Sequence, residues 1–168
     1  MGHARVIRAG RPEDLPAIAA LHDASWQEVY RGLLPEDYLG SGARDLLAHK
    51  WATMPEAALF VAESGGGLDG FIAVENGDAA YVDALHVAAG ARGTGLGRAL
   101  LARAARQARD WGCAGLWLTL LAGNDPADRF YRALGAVETW RGPDPDFPVP
   151  VEAIRLDWSD LSRLIEAG

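Results

Sequence analysis

A glycine-rich segment flanked by arginines is the part of the sequence whose residue types and spacing best suit a chemical role. It comprises residues 92–98, Arg-Gly-Thr-Gly-Leu-Gly-Arg, and lies between a predicted strand and a predicted helix. Successive backbone N–H groups in such a turn, together with the positive end of the helix dipole, form a site for an anion. We therefore expect this turn to bind a phosphate group.

Two known phosphate-binding motifs do not match this segment. A dinucleotide-binding fingerprint starting at Gly93 would need Gly or Ala at position 98, which is Arg98, and would need a βαβ unit instead of the predicted antiparallel strands. A P-loop starting at Gly90 would need Lys and then Ser or Thr after Gly95, where the chain has Leu96 and Gly97. A glycine-rich turn taken alone is also compatible with a purely structural connection.

The charge distribution supports an anionic ligand at the turn. Residues 84–110 contain five arginines and one aspartate, a local balance of +4 in a chain whose formal charge is −7. The other residues therefore carry −11. This acidic remainder disfavours nucleic acid as a partner and is compatible with a cationic one.

Two side chains on the strand before the turn are candidates for moving a proton. Asp83 and His86 lie on a predicted strand over 79–87, and strict alternation places them on opposite faces, so both could act only with a bulge or a water relay. His86 has the ordinary pKa better suited to a base at neutral pH, whereas Asp83 would hold an ammonium group. The choice of base stays open, since either residue could also be a polar strand residue facing solvent.

The remaining cysteine and histidine residues do not suggest a metal site. The single cysteine, Cys113, lies among small and apolar residues, which favours a buried, unreactive thiol over a nucleophile. His22 and His49 lie in predicted helices and His3 near the terminus, and their spacing does not match that of metal ligands. We expect no bound metal.

The elements around the turn predict a mixed α/β domain. Apolar periodicity predicts helices over 15–29, 43–51, 98–110 and 124–134, and short apolar runs predict strands at 6–7, 57–63, 70–75, 79–87, 116–121, 137–140 and 151–158. Turn residues at 64–69 and 76–78 predict three consecutive antiparallel strands. The fold class is α+β, with a twisted and mostly antiparallel sheet of about six to seven strands flanked by about four helices. The prolines of residues 142–150 predict a surface flap.

Length and composition predict one domain over residues 1–168, since chains begin to divide into domains at roughly 250 residues. The N-terminal residues show neither an apolar segment nor a cleavage site, and the longest uncharged stretch, 112–124, is shorter than the roughly 20 residues that span a bilayer. We expect a cytoplasmic protein with no membrane partner. Whether it forms a homodimer is open.

The ordered motifs resemble the GCN5-related N-acetyltransferase (GNAT) superfamily, in particular its small bacterial members. Residues 92–97 match the (Gln/Arg)-x-x-Gly-x-(Gly/Ala) motif, residues 85–87 match the Leu-x-Val strand end, and residues 124–135 match the Asn…Ala…Phe-Tyr…Leu-Gly segment. Ala136 replaces the usual Phe after that segment. The similarity is strong over about residues 80–136, and it implies the GNAT fold with acetyl-CoA as cosubstrate.

The resemblance also implies roles for individual residues. Tyr131 would be the acid that protonates the CoA sulfur, and Asn124 would bind the pantetheine or support the strand end, although it could also be a helix N-cap. The N–H of Val87 or of a neighbour would stabilise the oxyanion. Thr119 stands where the branch that acetylates ribosomal proteins has a glutamate, so that branch's base is missing. The implied cosubstrate contacts are Leu85, His86, Val87, Arg92, Gly93, Thr94, Gly95, Leu96, Gly97, Arg98, Asn124 and Tyr131.

The expected reaction is direct acetyl transfer to a primary amine in a ternary complex, because Cys113 has no activating partner in its local sequence. A base or water relay is needed, since an alkyl ammonium with a pKa of about 10.4 is almost fully protonated at neutral pH. Asp83 and His86 are the candidates for it, and Tyr131 for the acid.

The acceptor is expected to be a small amine. Trp26 and Tyr30 lie in a segment that resembles the acceptor pocket of small bacterial members, and with Trp140 and the proline flap they would enclose the amine. Its charge would be attracted by carboxylates such as Glu28, Asp144 and Asp146. Two alternatives remain: a protein N-terminus bound in an open groove, and a non-catalytic acetyl-CoA-binding regulatory module that would not need Tyr131.

Overall fold

The computed structural model describes residues 4–147 and 149–168, which contain a seven-stranded sheet. The strands are β1 (Val6–Ala9), β2 (Ala58–Ser64), β3 (Gly67–Glu75), β4 (Ala80–Val87), β5 (Leu116–Leu121), β6 (Val137–Pro143) and β7 (Glu152–Trp158). Their order is β1-β2-β3-β4-β5-β7-β6. Neighbouring strands are antiparallel except for β4 and β5, which are parallel. The mixed α/β fold predicted from the sequence is therefore confirmed.

The described residues also contain five α-helices, of which α1 and α3 make the main contacts with the sheet: α1 (Leu15–Val29), α2 (Ala43–Lys50), α3 (Leu96–Asp110), α4 (Asp125–Ala133) and α5 (Leu161–Ala167). Apolar periodicity predicts the first four of these helices but not α5. This helix begins after Asp160, whose side chain accepts a hydrogen bond from the Ser162 N–H, and it buries Leu161 and Leu164 beside α3. The signal for α5 was present as an N-cap aspartate followed by apolar residues three apart.

Each sheet face has its own core. On the face covered by α3, here called the α3 face, the fully buried side chains include Ile72, Leu100 and Leu116. On the opposite face, here called the α1 face, Ile18 of α1 packs with Phe71 of β3. Alternation along the strands supplies both cores, because successive side chains point to opposite faces.

The parallel strands β4 and β5 diverge along their length. They pair at Ala80 with Leu116 and at Tyr81 with Trp117, and the ladder ends there. The later residues of β4 and β5 therefore border a gap that opens toward the carboxyl ends of both strands. Helix α3 starts close to this gap, nine residues after β4 ends.

The proline-rich flap starts later than predicted. Strand β6 extends to Pro143, and this is tolerated because a proline at the end of an edge strand removes no needed hydrogen bond. Asp144 then pairs by its N–H with the Val151 carbonyl. Pro148, which the flap prediction includes, lies outside the described residues. No helix in the described part of the chain is both long and apolar enough to cross a membrane.

Candidate active site

The glycine-rich turn has the backbone shape of an anion site. Gly93 and Gly95 have φ angles of +72° and +84°, and no atom lies within 4 Å of the position that a Cβ would take on either residue. Helix α3 follows directly and has no acidic residue in its first turn. The N–H groups at the start of a helix have no partner within it and are free to bind a ligand. The turn therefore has a backbone shape suited to an anion, and binding of a phosphate group by these residues stays a prediction.

A close contact joins this turn to α4. A Cβ on Gly97 would lie 3.1 Å from Cζ of Phe130, the residue before Tyr131. Glycine at position 97 thus lets the first turn of α3 approach α4. The glycine-rich turn over residues 92–98, here called the anion turn, therefore lies beside the helix that carries Tyr131.

The arginines near the turn are used in two different ways. The Arg92 guanidinium pairs with Glu28 of α1 at 2.5 Å, and its Nε donates to the Val87 carbonyl at 3.3 Å. The hydrogen bond from Arg92 lowers the pKa of Glu28, so this carboxylate is committed to Arg92 in the absence of other ligands. Arg98 is exposed in the first turn of α3.

Arg5 reaches the turn although the sequence pattern does not single it out. Its Nη1 donates to the Thr94 Oγ1 at 3.0 Å, and its Nε donates to Asp69 at 2.9 Å. The Thr94 hydroxyl in turn donates to the Ala91 carbonyl at 2.6 Å. Arg5 and Thr94 are 89 positions apart, so local sequence carries no sign of this contact.

A bulge in β4 gives Asp83 and His86 an orientation different from the one predicted. Ala73 pairs with Ala84 and Val74 with Val82, so Asp83 is an extra residue in β4. After one extra residue the alternation is inverted, and Asp83 and His86 both lie on the α1 face. The prediction from strict alternation, that the two residues face opposite sides, was therefore wrong, and the bulge that both would need is present.

Each of these two side chains has a partner on the α1 face. Asp83 binds the Lys50 Nζ at 2.7 Å. His86 shares a hydrogen bond of 2.9 Å between its Nδ1 and the Ser25 Oγ, and its ring lies 4.3 Å from that of His22, centroid to centroid. Burial lowers the pKa of His86 to about 4, with a further contribution from Arg92, so its imidazole is neutral at pH 7.

His22 is a packed residue, in line with the sequence analysis. It is buried, and its Nδ1 accepts a hydrogen bond from the Trp51 Nε1 at 2.9 Å. Burial and the neighbouring His86 lower the pKa of His22 to about 2, which keeps this ring uncharged. His49 is exposed, and His3 lies outside the described residues. Cys113 is a buried free thiol that donates to Asn76, as an unreactive structural cysteine would.

Tyr131 is 9% exposed and packs edge-on against Trp158, with ring centroids 5.8 Å apart. Burial raises the pKa of Tyr131 well above its ordinary value, with a smaller effect from Tyr30, so its hydroxyl keeps its proton at neutral pH. Asn124 directly precedes α4, and its side chain makes no capping hydrogen bond. Asn124 therefore occupies the N-cap position of α4, as the alternative has it, but its side chain does not cap the helix.

Aromatic side chains join the proline flap to α1. Trp26 of α1 stacks with Phe147 of the flap at 6.3 Å between ring centroids and contacts Tyr30 edge-on at 5.3 Å. Tyr38 completes this group, which we call the flap cluster, at 6.3 Å from Phe147. Burial raises the pKa of Tyr30 to about 12, with a contribution from the nearby Asp144.

Trp140 does not join the flap cluster, although the sequence analysis groups it with Trp26 and Tyr30. It is 48% exposed on β6 and lines an open basin on the α1 face together with Trp117. Of the three aromatic residues predicted to enclose the acceptor, Trp26 and Tyr30 therefore lie together, whereas Trp140 lies apart from them.

Comparisons with known proteins give a consistent result. The family model described as "Acetyltransferase (GNAT) family" matches residues 18–136. The Bacillus subtilis protein "Uncharacterized N-acetyltransferase YuaI" is 27% identical over 165 residues, which cover 94% of this chain and 95% of the relative.

Two solved structures show the same architecture. Apo YjaB from Escherichia coli has a TM-score of 0.73 and 26% identity, with 92% of this chain and 97% of YjaB covered. The protein yncA from Salmonella typhimurium, solved with its cofactor acetyl-CoA, has a TM-score of 0.66 and 19% identity, with 93% and 94% covered.

Proposed function

Because the chain belongs to the GNAT acetyltransferase family, and is an acetyl-CoA-dependent N-acetyltransferase, we propose that its acceptor is the primary amine of a small molecule. The acetyl group would be transferred by direct attack in a ternary complex. The flap cluster carries this proposal, because Phe147 packs on Trp26 and Tyr38 and joins the flap to α1 beside Leu121, at the carboxyl end of β5. A flap held against α1 in this way suits a small amine better than a protein chain.

The anion turn would bind the pyrophosphate of acetyl-CoA. Its free N–H groups, the two glycines with positive φ and the absence of an acidic residue in the first turn of α3 support this assignment. The gap between β4 and β5 would receive the pantetheine arm, where backbone N–H groups of β4 near Leu85 and Val87 have no partner on β5. Such a donor stabilises the negative charge that develops on the thioester oxygen.

Tyr131 would act as the acid. The acetyl-CoA supplies the activated acetyl group. The amine nitrogen forms a bond to the carbonyl carbon, the carbon–sulfur bond breaks, and the sulfur takes a proton from the Tyr131 hydroxyl. The raised pKa of Tyr131 means that the proton is in place at neutral pH. The nitrogen loses its second proton to solvent as the amide forms, and the tyrosinate recovers a proton from solvent in its place.

An ammonium acceptor would lose its first proton before it attacks, on the α1 face, which carries both Asp83 and His86. Asp83, beside Lys50, would accept this proton through water, since a carboxylate paired on one side still has free lone pairs. His86 would act as a positioning residue that holds the strand end against Ser25, because the low pKa of His86 makes its ring a weak base.

Acetyl transfer is tested by release of free CoA thiol from acetyl-CoA with a panel of amines, amino acids, polyamines and N-terminal peptides. Tyr131→Phe removes one hydroxyl and keeps the ring against Trp158. We expect kcat to fall about 100-fold, since a positioned acid contributes that much or more, while the KM for acetyl-CoA stays within about twofold.

Calorimetric binding of acetyl-CoA and the melting temperature serve as controls for the fold of Tyr131→Phe. Tight binding of acetyl-CoA without acceptor-dependent thiol release would show a non-catalytic binding module. Release with peptides alone would identify a protein N-terminus as the acceptor and contradict the small-molecule proposal.

A further inference from the structure

An open basin lies on the α1 face beyond the part that the helices cover. It has a volume of about 530 Å³ and is lined by Trp117, Thr119, Thr139, Trp140, Arg155 and Asp157. Helix α1 packs over β3 and β4 and α2 packs against α1, whereas these six residues lie on β5, β6 and β7. The basin is therefore a cavity of the sheet surface itself, beside the helices that border the proposed active site.

A second bulge shapes this basin. Glu138 pairs with Leu156 and Trp140 with Arg155, so Thr139 is an extra residue in β6. The bulge turns Thr139 and Trp140 toward the same face, where regular alternation would turn one of them away. The 48% exposed Trp140 indole therefore stands at the rim of the basin instead of at the outer edge of the sheet.

The polar groups of the basin are bound to one another. Arg155 donates two hydrogen bonds to Asp157 at 2.8 and 2.9 Å, and the Thr139 hydroxyl donates to the same carboxylate. The Arg155 guanidinium lies 4.0 Å from the centroid of Trp117. The ion pair leaves the basin without net charge, and the flat surface of Trp140 remains exposed.

The basin lies beside the proposed site of transfer, on the same face of the sheet. Thr119 lies on the part of β5 that has diverged from β4, and Trp117 is the β5 partner of Tyr81, whose ring lies 4.4 Å from it. Tyr81 is close to Asp83 on the same face, two residues along β4. The flap cluster packs around Leu121 at the carboxyl end of β5, whereas the basin lies along the earlier residues Trp117 and Thr119 of that strand.

We propose that this basin is a subsite for the acceptor and binds a flat, ring-bearing group attached to the amine. The inference rests on the proposed function and names the class of acceptor. Indole faces bind planar groups by stacking, while a pocket whose carboxylate is already paired offers a polyamine no extra attraction. An amine with an aromatic ring is therefore preferred over an aliphatic amine or a polyamine.

The test measures kcat/KM by CoA thiol release with 2-phenylethylamine, n-hexylamine and spermidine at saturating acetyl-CoA. We expect 2-phenylethylamine to be the best of the three. Trp140→Ala should lower its kcat/KM about tenfold and that of n-hexylamine by less than threefold, with the KM for acetyl-CoA unchanged. Trp140→Phe keeps a ring and should retain most of the preference.

Val137→Ala is the matched control. Val137 lies on the same strand and is 63% exposed, but it does not line the basin, so this variant should leave all three kcat/KM values unchanged.

Equal losses for 2-phenylethylamine and n-hexylamine in Trp140→Ala, or no preference for the ring in the wild type, would overturn the subsite while leaving the proposed function intact. A dimer in sedimentation that Trp140→Ala dissociates would also overturn it, since a second copy would then cover the basin. Absence of thiol release with every amine would overturn both proposals.

Discussion

At the scale of single residues, the buried position of His86 changes its acid–base chemistry. An imidazole with an ordinary pKa would be a suitable base at neutral pH, but burial lowers the pKa of His86 to about 4. Its neutral form is present at all pH values above that. The structure thus shifts the role of this residue from titrating base toward a fixed hydrogen-bond partner of Ser25.

This pKa leads to a prediction about pH dependence. Between pH 5.5 and 8, kcat/KM should rise with the fraction of free amine and show no break near 6.5, because His86 is already deprotonated throughout this range. His86→Gln, which can still hydrogen-bond to Ser25, should have a profile of the same shape. A break near 6.5 in the wild type that disappears in His86→Gln would show that His86 titrates as the base.

Arg5 is the second residue whose importance depends on its three-dimensional position. Its guanidinium is held by Asp69 and contacts Thr94 in the anion turn, where it adds positive charge beside the expected phosphate. Arg5→Gln should raise the KM for acetyl-CoA about three- to tenfold with little change in kcat, because the contact binds the cosubstrate equally in the ground state and the transition state. Arg109→Gln removes an equal charge at the far end of α3 and serves as the control. Equal effects of both variants would mean that only net charge matters.

At the scale of elements, the site depends on the junction between β4 and α3. The strand diverges from β5, and the turn aims free N–H groups at the space in front of the helix. Gly97 allows α4 to approach, so Tyr131, the proposed acid, and the anion turn belong to one arrangement of two helices and two strands.

The charge of a residue at position 95 should decide cosubstrate binding. Gly95 has a φ of +84° and open space at the Cβ position, and Asn and Asp tolerate this left-handed region better than other residues do. Gly95→Asp should raise the KM for acetyl-CoA at least tenfold more than Gly95→Asn, because the two side chains have the same shape and only the aspartate repels phosphate. Equal KM values for the two variants, measured by thiol release, would rule out a phosphate at this turn.

At the scale of the whole molecule, one ion cluster ties the first strand to the rest of the fold. Arg8 of β1 donates to both oxygens of Asp14, at 2.8 and 2.9 Å, and also binds Glu63 of β2. Asp14 is 7% exposed, and the Arg11 N–H donates to its carboxylate as well. The edge strand β1 and the start of α1 are thus held by one nearly buried carboxylate.

Asp14→Asn should lower the free energy of unfolding by about 1.5–3 kcal/mol, the range for hydrogen bonds to a charged group, and Glu63→Gln by less because Glu63 is more exposed.

Hydrogen bonds from Arg8 lower the pKa of Asp14 below its ordinary value of 3.8 in the folded state. Its stabilisation is therefore complete above that value and is lost as the pH falls through the folded-state pKa. Between pH 6 and pH 3, the free energy of unfolding measured with urea should fall less for Asp14→Asn than for the wild type. An equal fall in both proteins would contradict this role of Asp14.

Much of the fold follows from local sequence. The bounds of β5 are those predicted, and helices α1 and α3 lie within two residues of their predicted ranges, because apolar periodicity and turn residues act over a few positions. The shape of the anion turn also follows from local sequence, since its glycines and arginines all lie within residues 92–98. The roles of Tyr131 and Asn124 came from the resemblance to a family and stay predictions, as do the contacts with acetyl-CoA.

The tertiary structure decided what local patterns could not contain. The extra residues Asp83 and Thr139 arise from how one strand pairs with its neighbour, so alternation along the strand alone gave the wrong face for Asp83 and His86. The contact of Arg5 with Thr94 joins residues 89 positions apart, and Trp26 meets Phe147 only when the flap folds onto α1. Short-range propensity determines the elements and the turn chemistry, whereas strand register and long-range packing determine which side chains share one site.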